Sequence, residues 1–235
     1  MTLKAIIFGS IGTVTETSDI QRRAFNRTFA EAGLGWNWDF KTYKDMVAGD
    51  GAIVGGSERI AAYAAGRGEL LSPDAIDRLH TTKSAIFQKL MSDEGLTPNA
   101  GVVELIVDAR ATGLKIAFAS TTSPENIAAM FAATAPALTA VDFDLVLSGD
   151  DVTAIKPAPD IYLRALERLG IAADEAIAIE DTATSMAAPL AAHIPTVIVP
   201  GVIAQLQDFG QTPVLQSLGT LAALDAVAHH RQPVS

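Results

Sequence analysis

The chain has 235 residues, a formal net charge of −10 and no cysteine. Without cysteine, neither a disulfide framework nor a thiolate metal site can be built. With no long Lys/Arg run, the chain lacks the basic surface that nucleic acids and anionic membranes require. Its 49% hydrophobic and 19% charged residues give the balance of a well-buried folded chain, not a disordered one. No run approaches the ~20 apolar residues of a membrane helix. The apolar stretch within Met1–Phe8 is also too short for a secretory signal. The expectation is a soluble cytoplasmic protein with no nucleic-acid or membrane partner.

In chain order, Lys4–Phe8 reads as a first buried strand. From about Val14 to Ser92 the pattern turns almost wholly helical, clearest over Asp19–Ala32, Ser57–Arg67 and Ser72–Met91. Ser72 and Pro73 suit an N-cap and first helical position, and Gly55-Gly56 reads as a flexible loop. Pro98 and Gly101 punctuate the return to alternating elements. These are a helix over Gly101–Thr112, a strand at Lys115–Ala119, a further strand candidate at Phe143–Leu147 and a helix over Pro159–Leu169. Strands at Ala176–Ile179 and Thr196–Val199 follow. Ala226–Ser235 reads as a loose polar tail. Strands alternating with such helices imply βαβ units. The expected fold is α/β: a Rossmann-like three-layer sandwich with a mostly parallel sheet, plus an inserted helical cap. The α/β core takes residues 1–14 and 93–235, and the cap takes 15–92.

Ligands of parallel sheets bind beyond the carboxyl ends of the strands. There the chain would gather Gly9-Ser10-Ile11-Gly12-Thr13, then Ser120-Thr121-Thr122-Ser123, then Lys156 and finally Glu180-Asp181. Backbone N–H groups and hydroxyls as donors, an ammonium as counter-charge and a carboxylate pair for magnesium together suit a bound phosphate.

These segments carry a family likeness over nearly the whole chain. Gly12-Thr13, Lys156-Pro157-Ala158-Pro159-Asp160-Ile161-Tyr162 and Glu180-Asp181-Thr182 resemble motifs of the haloacid dehalogenase superfamily. Arg22-Arg23-Ala24-Phe25-Asn26, Trp36-Asn37-Trp38 and Gly55-Gly56-Ser57-Glu58-Arg59-Ile60 resemble the cap of its sugar-phosphate phosphatase and beta-phosphoglucomutase-like branch. The resemblance implies a first motif Asp-x-Asp-Gly-Thr. Its first Asp attacks phosphorus and ligates magnesium, and its second is the general acid and base. In that register Gly9 stands at the nucleophile and Ile11 at the acid/base position, and neither side chain can do that work. By the same resemblance, Ser120 and Thr121 with Gly12 hold phosphoryl oxygens, and Lys156 neutralises their charge. Glu16 touches substrate from the cap hinge, and Glu180 and Asp181 bind magnesium. Gln21, Ser57, Ser185 and His193 depart from the branch's usual residues.

Bland readings stand beside these. Lys156 can be a structural ion-pair partner of the adjacent acids, and Ser120 can cap the helix starting near Pro124. Glu180-Asp181 can be helix N-terminal acids. Ser10 is expected to point away from the site with no base beside it. Loss of a covalent nucleophile removes several powers of ten in rate, and loss of the acid/base group another ~100- to 10,000-fold. The leading expectation is therefore a weakly active or inactive binder of a small phosphorylated metabolite or phosphate, with a weak or absent magnesium (Mg2+) site. The alternatives are a phosphatase working by direct metal-assisted water attack, and a non-catalytic interaction module whose pocket Ile11 helps to fill.

Overall fold

A computed structural model describes residues 2–49, 51–53, 55–222, 224 and 226. Its five strands are β1 (Ala5–Phe8), β2 (Lys115–Ala119), β3 (Leu145–Leu147), β4 (Ala176–Glu180) and β5 (Thr196–Ile198). All pair in parallel, in the order β3-β2-β1-β4-β5.

Side chains alternate across the sheet, so register decides which residues share a face. Phe8 lies level with Phe118 and Ile179. One face therefore presents Ile6, Phe8, Ile116, Phe118, Ile177 and Ile179. Helix α6 (Val102–Ala111), helix α7 (Pro124–Thr134) and the end of α5 (Pro73–Glu94) cover it. The other face is mostly alanine: Ala5, Ala117, Ala119, Ala176 and Ala178, with Ile7. Such small side chains let a helix approach closely. Helix α8 (Asp160–Leu169) packs there through Ile161, Tyr162, Ala165 and Leu166, beside Ala188 of α9 (Ala183–Ala191). This is the expected three-layer α/β sandwich.

Between β1 and β2 stand α1 (Ile11–Val14), α2 (Ser18–Glu31), α3 (Phe40–Ala48), α4 (Gly56–Gly66) and α5. Phe25, Phe29, Trp36, Trp38 and Tyr43 form an aromatic cluster with Ile60 and Leu79. The Asn26 side chain holds Trp38 by donating to its carbonyl at 2.8 Å and accepting from its amide at 2.7 Å. Helix α5 runs without a break across the expected 92/93 boundary, and its Ile86, Phe87 and Met91 join the core of the sheet's larger-residue face.

Two local expectations need correction. Gly55-Gly56 is no loop: Gly55, at φ 87°, caps α4 and Gly56 begins it. The strand expected over Phe143–Leu147 starts only at Leu145. The Asp144 amide still donates to the Ile116 carbonyl at 2.8 Å, but its side chain, in place of a backbone carbonyl, accepts from the Ile116 amide at 2.9 Å. Phe143 turns inward, its ring 5.9 Å from Phe8 and 6.0 Å from Phe118. The expected tail over Ala226–Ser235 lies, beyond Ala226, outside the described residues.

Candidate functional site

The register that builds the core also sets the chemistry at its edge. Phe8 is level with Ile179, so Gly9 is level with Glu180, and both belong to the face that carries Tyr162. Gly9 leaves a vacancy there, and its neighbours have taken it. A Cβ at Gly9 would collide with both the Tyr162 hydroxyl and the Glu180 carboxylate. Glu180 Oε1 accepts from Tyr162 at 2.5 Å and from Lys156 Nζ at 2.6 Å. Lys156 also donates to the Gly9 carbonyl and lies 4.7 Å from the Tyr162 ring centroid. Glu180 is fully buried, and its Oε2 has no hydrogen-bond partner among the described residues. Burial, reinforced by the Glu180 charge, raises the Tyr162 phenol well above its ordinary value. The ion pair considered for Lys156 is thus formed, in a knot of four groups.

Beside the knot, Ser10 caps α1 by accepting from the Thr13 amide at 3.2 Å. Its hydroxyl donates to Asp181 Oδ1 at 2.9 Å. This corrects the expectation that Ser10 faces away without a base: β1 ends at Phe8, and the capping turn redirects the side chain. Burial, then the Glu180 charge, pushes Asp181 up to about 6, against the Ser10 hydrogen bond and the Lys156 charge. Glu180 and Asp181 are not helix N-terminal acids. Glu180 ends β4, the cap of α9 is Thr182, and the first turn of α9 holds no acid. Nor does Ser120 cap α7, since Ser123 does so. The Ser120 hydroxyl instead accepts from the Thr122 amide at 3.4 Å.

A cavity of about 270 Å³ opens over this edge. Gly9, Ser10, Ile11, Gly12, Ser120, Thr121, Lys156 and Asp181 line its floor, so the structure gathers these strand-end residues singled out in the sequence, while Glu180 lies buried beneath it. Ile11 is 7% exposed and packs into the core below, leaving the cavity open. Gly12 is tight against Asp181, whose carboxylate a Cβ would strike. Its carbonyl accepts from Asn99 Nδ2 at 2.8 Å.

Glu16 is held elsewhere. One oxygen accepts from the Ser18 amide at 2.7 Å and the other from the Val202 amide at 3.0 Å. The loop after β5 meets the helical block a second time at Gln207. Its side chain accepts from the Ala183 amide at 2.9 Å and donates to the Ala48 carbonyl at 3.0 Å.

Gln21, Tyr43 and Arg59 line the opposite wall. Gln21 Oε1 accepts from Lys83, which is 5% exposed and lies over the rings of Phe25 and Phe87. Lys83 escaped the sequence reading, and Arg59 was quoted only as part of a cap motif, because nothing in a helical repeat separates a buried cation from a surface one. Tyr162 was quoted only as part of a motif. The signal for it was its place two residues after Asp160 in a helix bound for the alanine face.

A magnesium ion demands near-octahedral oxygen ligands, usually including one or two protein carboxylates. Here Glu180 Oε1 is ion-paired, its Oε2 is buried, and Asp181 Oδ1 is engaged by Ser10. Among the described residues, no three His, Cys, Asp or Glu side chains converge. The side chains present do not by themselves fit a protein-held magnesium ion. No helix among them is long and apolar enough to cross a membrane.

A family model described as haloacid dehalogenase-like hydrolase matches residues 3–193. Protein CbbY of Rhodobacter capsulatus is 38% identical, over 89% of this chain and 90% of its own length. The crystal structure of CbbY from Rhodobacter sphaeroides in complex with phosphate superposes with a TM-score of 0.86 at 34% identity. It covers 95% of this chain and 100% of that one. An Asp-to-Asn variant of that protein, in complex with xylulose-1,5-bisphosphate, gives 0.86 at 33% identity, over 95% and 99%.

Proposed function

Because the chain belongs to the haloacid dehalogenase-like hydrolase family, we propose that it binds a small phosphorylated metabolite or phosphate, with little or no turnover by the phosphoaspartyl route. The observation that carries this reading is the open cavity of about 270 Å³ whose floor keeps Ser120, Thr121 and Lys156 but has Gly9 and Ile11 at the first-strand positions. Hydroxyls, backbone amides and an ammonium favour a phosphoryl group there. Arg59, on the other wall, adds a second cation, so a ligand with anionic groups at both ends suits the cavity. The phosphate and bisphosphate complexes of the relative support that choice.

In this reading residues 1–14 and 93–235 form the core and 15–92 the cap, and the protein works in the cytoplasm. Magnesium is bound weakly or not at all, because the carboxylate missing at Gly9 would be one of its ligands. Glu180, turned onto Lys156 and Tyr162, compensates for the charge that Gly9 cannot supply. An interaction module with a filled pocket is disfavoured by the burial of Ile11 in the core and the space left above it.

The test pairs binding with turnover. Thermal denaturation in phosphate and in xylulose-1,5-bisphosphate is expected to show stabilisation, since a ligand at 100 times its Kd adds about 2.7 kcal/mol. Magnesium-dependent phosphate release from a sugar-phosphate panel is expected to stay near background. Rapid magnesium-dependent release that disappears in Glu180→Ala would refute the reading.

A further inference from the structure

We propose that Ser10 is a phosphoryl acceptor of this cavity, with Asp181 as the base that takes its proton. The inference rests on the phosphate-binding reading above and adds to it a covalent step on a side chain that the first-strand motif does not use.

The geometry fixes every valence of the hydroxyl. A serine hydroxyl has one proton and two lone pairs. The proton points at Asp181 Oδ1, 2.9 Å away. One lone pair accepts from the Thr13 amide at 3.2 Å. The second is left for the cavity, which Ser10 and Asp181 both line. A nucleophile held by a fixed partner and hydrogen-bonded to a base is the arrangement that covalent catalysis requires. Lys156 lines the same floor and carries positive charge beside the incoming phosphoryl group. Neither Gly9 nor Ile11 can compete for phosphorus.

The step balances without a metal. Ser10 Oγ attacks phosphorus and its proton passes to Asp181. The Oγ–P bond forms as the P–O bond to the leaving group breaks. From an alkyl phosphate the departing alkoxide takes the proton from Asp181, whereas from acetyl phosphate acetate leaves as the anion and Asp181 releases its proton to solvent before the next step. Water then attacks phosphoserine, gives its proton to Asp181 and releases phosphate, and the Ser10 oxygen recovers that proton.

The experiment incubates the full chain with acetyl phosphate, reads the intact mass for one added phosphoryl group and locates it by peptide mapping. In parallel, thermal stabilisation by inorganic phosphate reports binding. The expected result is label on Ser10, absent in Ser10→Ala, retained in Ser10→Thr and slowed at least ~100-fold in Asp181→Asn. Stabilisation with no label, or with label on another residue, overturns the acceptor role and leaves the binding reading standing. Label on Ser10 without stabilisation overturns the binding reading and leaves the acceptor role. Loss of both signals overturns both.

Discussion

Lys83 offers a measurement of what burial without a counter-charge does in this fold. It lies 5% exposed on α5, bonded to Gln21, with Phe25 and Phe87 rings 4.8 and 4.7 Å from its nitrogen. Among the described residues it has no ion-pair partner. Burial, with Arg59 adding repulsion, lowers its pKa from 10.5 to about 7. The unfolded chain therefore binds more protons than the folded one between those values, and stability rises with pH across that window. It is lost as pH falls towards 7. At 1.36 kcal/mol per unit, the full shift corresponds to about 5 kcal/mol against folding at low pH. Linkage then returns about 2–3 kcal/mol of it between about pH 6 and about pH 9. Lys83→Met keeps the apolar stem and removes the charge. It gives up the Gln21 hydrogen bond, about 1 kcal/mol, and the ring contacts, roughly 1 kcal/mol more. The variant should be more stable than the parent near pH 6, and its advantage should shrink by about 2–3 kcal/mol by about pH 9. Urea unfolding of both proteins across that range, with m unchanged, reads the difference directly. A difference that does not vary with pH would refute the argument, since Lys83 would then carry the same charge in both states.

Two further substitutions probe the site and its frame. Gly9→Asp must displace Glu180 and Tyr162 and sets three carboxylates around one lysine. It should cost about 2–4 kcal/mol in chelator and confer a rise in melting temperature with magnesium that the parent lacks; equal responses would contradict the donor-set argument. His193 adopts φ 59° just past the end of α9, a conformation that glycine reaches at least cost. His193→Gly should add about 0.5–1 kcal/mol of stability, read as a higher urea midpoint.

The sheet was legible because buried parallel strands are short apolar runs, and most of the predicted strand limits held, with three moving by a single residue. Strand β3 was overextended because Asp144, whose side chain replaces a ladder bond, looks like any polar edge residue. Helix α3 was missed: it is only nine residues long, and Tyr43 is its one buried side chain. At the site, the positions of Ser120, Lys156, Glu180 and Asp181 followed from strand ends and motif spacing. Their partners did not. Strand alternation misdirected Ser10 because alternation stops where the strand stops. That Glu180 occupies the space beside Gly9 depends on the pairing of residues far apart in sequence. Glu16 looked available for a ligand, and only the fold shows both its oxygens held by backbone amides.

One carboxamide couples the cavity's roof to its floor. Gln207 bonds the last residue of α3, whose Tyr43 and Val47 form part of the roof, and the first residue of α9, which begins the Thr184 and Ser185 wall. Lifting the roof strands the Ala48 carbonyl, at about 1 kcal/mol for the bond. Ligand residence time is thereby tied to a side chain outside the cavity lining.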